Sequence, residues 1–326
     1  MVVLGPVTPR PKADRSTCML KIRIIFALLV LAVPVARTSY ADTGILLLAH
    51  GASGEWNARV TELAGQIDRT RPTEVAFGMA TRANLQAGVD RLAARGVTEI
   101  VAVPLFVSSW SSVITSTEYL LGQRAEAPAA LAAYAKMNHA QPAPAATSGS
   151  GPAGHEGHTA VADGTTPVKS PVPIRMTPAL NDHPIVADIL VSRARSISRD
   201  PAEEALVIVA HGPNEDEDNR RWLADMASLA TRIGNTARFA SIDYLTLRDD
   251  APKPVRDRAT VELRALVAKS SARGQRVLIV PLLISLGGID RGLRERLDGM
   301  TYVMADAALL PDERLVTWVL AMAGTR

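Results

Sequence analysis

The sequence predicts an α/β protein of two similar lobes, each a doubly wound parallel sheet with flanking helices. Three observations predict it. "LLLAHG" at 46–51 and "VIVAHG" at 207–212 are nearly one phrase, an apolar run ending on histidine and glycine. Behind each phrase comes a helical stripe that opens on tryptophan. It reads Trp56, Val60, Leu63, Ile67 in the first half and Trp222, Met226, Leu229, Ile233 in the second, with the same spacing. Strand-like and helix-like runs then alternate through both halves, the pattern of parallel sheets with right-handed crossovers. An internal repeat of about one hundred residues follows.

The first lobe is expected over 43–196. "TGILLLAH" (43–50) is a continuous apolar strand, as a sheet covered on both faces requires. The Trp56 stripe is its first helix. "EVAFGMA" (74–80) is a second strand. Leu85, Val89 and Leu92 stripe a second helix, which Gly96 ends. "TEIVAVPLFV" (98–107) is a third strand, and "PALNDHPIVADILVSRA" (178–194) supplies a closing helix. Residues at about 123–172 form a low-complexity insertion, rich in Ala, Pro, Gly, Ser and Thr. It has too few large apolar residues to make a core. A helical start is expected within 123–136.

The second lobe is expected over 204–321. "EALVIVAH" (204–211) and "ARFASIDYL" (237–245) are strands, and helical residues around 255–272 run to Gly274. "RVLIVPLLIS" (276–285) is the third strand. "ALLPDERLVTWVL" (308–320) mirrors the earlier closing segment, with Leu315, Val316, Val319 and Leu320 spaced like Ile185, Val186, Ile189 and Leu190.

Residues 1–41 read as a leader with a signal peptide. Met19 is a plausible start. Lys21 and Arg23 precede the apolar "IIFALLVLAVPVA" (24–36), and "SYA" (39–41) sets small residues for a cut after Ala41. A periplasmic or secreted protein is expected, with no stable membrane span once the signal is removed, because the run falls short of about 20 residues. The net charge of +3 comes from this leader, whose six basic residues face Asp14 alone. The remainder carries a small negative charge, which speaks against a nucleic-acid partner. Cys18 is the only cysteine, so disulfides and thiolate metal sites are excluded from the exported chain.

In doubly wound folds, ligands bind beyond the carboxyl ends of the strands. His50 and His211 are placed there and are the candidate catalytic and metal residues. A neutral imidazole at the sheet mouth binds a divalent metal or takes a proton. The competing reading is structural, a histidine that holds its loop by a backbone hydrogen bond. His139, His155 and His158 form a cluster in the insertion that suits weak metal capture or a solvated linker. "HEGH" lacks the spacing of a zinc-protease helix. His183 in "NDHP" marks a helix start, with Asn181 or Asp182 as cap. "NEDEDNRR" (214–221) is either a helix N-terminal charge bias or carboxylates near a cation. There is no G-x-S-x-G elbow, no arginine before either His-Gly and no phosphate-binding glycine loop, so hydrolase, histidine-phosphatase and nucleotide readings lack support.

The tandem "LLLAHG…VPLFVSS…TPALNDHP" and "VIVAHG…VPLLISLGG…ALLPDERL" resembles the CbiX-type sirohydrochlorin chelatases, the class II chelatase superfamily, in a long two-repeat form. The resemblance covers roughly 43–122, 173–196 and 204–321. It implies two lobes around a tetrapyrrole cleft and insertion of Co²⁺, or Fe²⁺ or Ni²⁺ in relatives, into sirohydrochlorin without a nucleotide. It assigns the strand-end histidine to His50 and His211. The family's second histidine is missing, and Ser112 and Ile289 stand near its place. Met79 stands where many members have a glutamate, and Asp243 is nearby in the second copy. The partners implied are a tetrapyrrole and a metal ion, and two lobes in one chain allow a monomer. The alternative is an exported, catalytically degenerate metal- or tetrapyrrole-binding protein on the same fold.

Overall fold

The computed structural model describes residues 43–140 and 164–324, with the side chains of 138–140 outside that description. The first lobe runs β1 (Thr43–Ala49), α1 (Gly54–Asp68), β2 (Thr73–Phe77), α2 (Arg82–Ala94), β3 (Glu99–Pro104), α3 (Ser112–Leu120), α4 (Leu131–Ala140), β4 (Ile174–Met176) and α5 (Pro184–Ile197). The second runs β5 (Glu204–Ala210), α6 (Asp216–Thr236), β6 (Ser241–Thr246), α7 (Lys253–Ala272), β7 (Arg276–Leu282), α8 (Gly288–Arg296), β8 (Val303–Met304) and α9 (Arg314–Gly324). Both sheets are parallel throughout and share one order, β2-β1-β3-β4 and β6-β5-β7-β8. The predicted α/β class with two similar lobes is what forms.

The apolar runs explain the layering. On β1, Ile45, Leu47 and Ala49 point to one core, while Leu46 and Leu48 point to another. β5 does the same, with Leu206, Ile208 and Ala210 on one side and Val207 and Val209 on the other. Alternate side chains of a strand face opposite sides, so a strand apolar at every position must be covered twice. The inner faces of both sheets share a central core with α1, α5, α6 and α9. Trp56, Val60, Leu63 and Ile67 are buried there, as are Trp222, Met226, Leu229 and Ile233, so both sequence stripes mark the inner helices. The outer cores belong to single lobes: α2, α3 and α4 cover the first, α7 and α8 the second. Each fully buried Leu or Ile here stabilises by roughly 1.5–3 kcal/mol.

The closing helices cross over. α5 packs on β7 of the second sheet, and α9 packs on β3 of the first and against α1. Arg175 of β4 donates to the Ala323 carbonyl in α9 (2.7 Å), and Arg276 of β7 donates to the Ile197 carbonyl in α5 (2.8 Å). The two segments were recognisable as a pair from sequence, but each completes the sheet of the other half.

Other differences are local. Each sheet gains a fourth strand of only two or three residues, β8 and β4, too short to show a period. β2 stops at Phe77, and β6 begins at Ser241. Both described ends of the insertion are tied to the first lobe. Leu131 of α4 enters its outer core, and the Lys169 amide donates to Gln86 Oε1 at 2.8 Å. His155 and His158 lie outside the described residues, as does the leader.

Candidate functional site

His50 and His211 follow the last residues of β1 and β5, the second strand in each sheet order. The glycine after each takes a left-handed conformation, φ +79° at Gly51 and +78° at Gly212. That turns the chain sharply out of the strand into the next helix, which is why apolar runs end on His-Gly. The second turn is the tighter. A Cβ on Gly212 would sit 2.5 Å from Thr246 Cβ, whereas one on Gly51 would meet Phe77 Cβ at 3.4 Å.

The two histidines differ in what holds them. His50 is exposed, and its Nδ1 lies 2.6 Å from the Gly51 carbonyl oxygen. A carbonyl only accepts, so Nδ1 carries the proton, and neutral His50 keeps a lone pair on Nε2. His211 is less open, with its side chain 27% exposed, and its Nε2 lies 3.3 Å from Asp250 Oδ2. Burial works against the charged imidazole. The bond to Asp250, the charges of Asp250 and Asp249 and the Gly212 carbonyl outweigh it, so the His211 pKa is raised. Asp250 is held low in return, first by its bond to His211, against burial, and then by the charges of His211, His50 and Arg256. The positive charge of His50 thus contributes to lowering a carboxylate of the second lobe.

The second mouth is braced further. Arg248, buried and at φ +53°, donates to the Pro213 carbonyl at 3.1 Å, to Asp216 Oδ1 at 2.5 Å and to the Asn214 carbonyl. Arg296 pairs with Asp249. This is where much of the acidic run goes: Asp216 begins α6 and meets Arg248, while Glu217 pairs with Arg220 and Arg221 along the helix. The strand register places Ala49 opposite Phe77 and Ala210 opposite Thr246. Met79, Ala80 and Thr81 thus correspond to Arg248, Asp249 and Asp250, so the arginine and the two carboxylates of the second mouth have no counterpart residue types in the first.

Asp250 is the residue that sequence reasoning missed. Asp243, considered instead, pairs with Val207 in mid-strand, well before the strand end. The available signal was "DD" at 249–250, just past a strand, where sites are built. Ser112 and Ile289 do not rebuild the absent histidine. The Ser112 hydroxyl bonds Tyr134 of α4 at 2.6 Å, and Ile289 packs on the outer core of its own lobe. His183 is itself the cap of α5, accepting from the Ile185 amide at 3.2 Å, because Asn181 accepts from Ser109 and Asp182 from Ser228. Among the described residues, no three His, Cys, Asp or Glu gather into a metal-holding group. An open depression of about 660 Å³, lined by Arg82, Gln86, Asp90 and Lys169, belongs to the outer side of α2 and not to the histidines.

Residues 44–149 match the family model described as CbiX. Across both lobes the fold is similar to that of solved chelatase structures. SirB from Bacillus subtilis, solved with Fe³⁺, is 14% identical with a TM-score of 0.53, covering 86% of this chain and 94% of that one. The sirohydrochlorin chelatase SirB from Bacillus subtilis subspecies spizizenii, solved with cobalt, is 12% identical with a TM-score of 0.50 and the same coverage. DR2241 from Deinococcus radiodurans, a multi-domain protein with structural similarity to chelatases, is 18% identical with a TM-score of 0.51 over 87% of this chain. The chain spans about half the length of DR2241, 54%. At these identities the structures establish a shared fold. No curated protein matches the sequence.

Proposed function

We propose that this protein is a sirohydrochlorin chelatase-like enzyme that places a divalent metal, Co²⁺ before Fe²⁺ or Ni²⁺, into a tetrapyrrole held between the lobes. What supports the proposal is the pair of strand-end histidines, with Asp250 paired to His211 and lowered further by the His50 charge. Metallation exchanges two pyrrole N–H protons for one metal ion, so the site must offer a lone pair and a proton acceptor. His50 Nε2 supplies the lone pair. The Asp250 carboxylate, held by His211, and solvent take up the two protons. The metal is substrate, which fits the lack of a closed ligand cage among the described residues. Export through residues 1–41, with cleavage after Ala41, and a monomer as the working unit belong to the same reading.

The test is metallation of sirohydrochlorin without oxygen, followed by absorbance, with Co²⁺, Fe²⁺ and Ni²⁺ compared. A rate above the uncatalysed one that disappears in the double variant His50→Ala, His211→Ala supports the proposal. A rate unchanged in that variant refutes it.

A second reading has its own support: both positions nearest the missing histidine turn into their own lobes, Ser112 to Tyr134 and Ile289 to the outer core. On that reading the protein is an exported carrier of metal or tetrapyrrole, with His139, His155 and His158 as weak metal capture. Calorimetry that shows binding without turnover favours it. Absence of binding to both ligands rejects it.

A further inference from the structure

The loop after β3 of the first lobe is gripped from the second lobe by α6. The grip centres on Asp225. Ser108 donates its hydroxyl to Asp225 Oδ2 at 3.5 Å, and the Trp110 indole also bonds this carboxylate. Trp222, one turn earlier, donates its indole N–H to the Trp110 carbonyl at 2.7 Å. Arg221 lies over the Trp110 ring, 4.7 Å from its centre. The gripped loop, 105–111, follows β3, and the Leu105 amide donates to the Leu48 carbonyl at 2.8 Å. It therefore borders the turn that carries His50.

The loop is held on one carboxylate that has a like-charged neighbour. Asp182, in the segment before α5, faces it and accepts from Ser228 of α6 at 2.7 Å. Of the other charged groups nearby, Arg221 is spent on the Trp110 ring, while His183 and Arg232 act on one another beside Asp182. The 105–111 loop itself brings only hydroxyls, an indole and apolar groups.

We infer that Asp225 is a proton-sensing positioning residue: its carboxylate, accepting from Ser108 and Trp110, sets the 105–111 loop beside the His50 turn, and gaining a proton weakens those two bonds and loosens the loop. Burial first, and then the Asp182 charge, raise the Asp225 pKa to about 6, against the two donors that favour the charged form. Protonation removes the repulsion across the seam even as it loosens the loop. A raised carboxylate pKa means that the stabilisation from this relief is full in acid and lost as pH rises through about 6. The inference does not depend on the chelatase reading.

The test is a titration of tryptophan fluorescence on the full-length protein from about pH 4.5 to 7.5, without metal or tetrapyrrole. The expected result is a transition with a midpoint near 6 that is lost in Asp225→Asn. Trp110→Phe should remove most of its amplitude. Asp182→Asn should move the midpoint down by about half a unit or more, because the like charge is gone. A titration unchanged in Asp225→Asn overturns the inference, since histidines would then explain it. If Asp225→Asn fails to fold, an unmoved midpoint in Asp182→Asn overturns it instead.

Discussion

Arg59 and Asp225 occupy equivalent places, three residues after Trp56 and Trp222, and each reaches the equivalent serine of the opposite lobe. Arg59 lies 3.3 Å from Ser285 and Asp225 lies 3.5 Å from Ser108. The seam is thus built on one plan with opposite charges. Its two sides are unequal, because Gly287 stands where the first lobe has Trp110 and offers no side chain to Trp56. Trp222→Phe should cost about 1–3 kcal/mol, since it strips a hydrogen bond from the Trp110 carbonyl. Arg59→Ala should cost less than about 1 kcal/mol, because its pair with Glu55 is largely exposed. Urea denaturation of both variants checks the order.

The His-Gly turns should respond unequally to alanine. Gly212→Ala meets both a left-handed backbone and a Cβ contact of 2.5 Å with Thr246, so a loss beyond about 2 kcal/mol is expected. Gly51→Ala meets the backbone strain with a contact of 3.4 Å and should lose about 1–2 kcal/mol. Thermal melts decide the order, and equal losses would mean that Thr246 gives way.

Glu204 is a buried carboxylate at the start of β5. It accepts from Ser198, from the Arg199 amide at 2.9 Å and from Arg276 at 2.5 Å. Burial opposes its charge, but these partners outweigh it and hold its pKa low. Glu204→Ala strands Arg276 and should cost about 3–5 kcal/mol. The Glu204 contribution is present above the ordinary glutamate range and is lost as pH falls through its lowered value. The loss should appear as a smaller acid sensitivity of stability in the variant.

Much of the fold was legible in the sequence, and for a physical reason. Strands apolar at every position and tryptophan-led stripes report burial, which depends on residue type. The exchange of α5 and α9 was not legible, because either sheet offers an apolar face to the same helix. β4 and β8 are too short to carry a period. At the site, His50 and His211 were legible from the strand ends. Asp250 was not, because only the register of β6 on β5 brings it to His211. The cap of α5 was read one or two residues early, since Asn181 and Asp182 are taken by Ser109 and Ser228.

Asp250→Asn should lower the His211 pKa by removing its charged partner, as seen in the imidazole resonances by NMR. The raised histidine contributes stability that is full below its ordinary value near 6.5 and lost as pH rises through its raised value. Asp250, held low, contributes above about pH 4 and loses its part in stronger acid. The pair therefore matters most between those limits. A His211 titration unchanged by Asp250→Asn would detach the two residues in solution.

The most direct measurement compares His50→Ala with the unaltered protein in oxygen-free metallation of sirohydrochlorin by Co²⁺, with tetrapyrrole binding measured in parallel. The account predicts at least about a hundredfold loss of rate with binding retained, as expected when the lone pair proposed to deliver the metal is removed. An unchanged rate, or no rate above background in the unaltered protein, would contradict it.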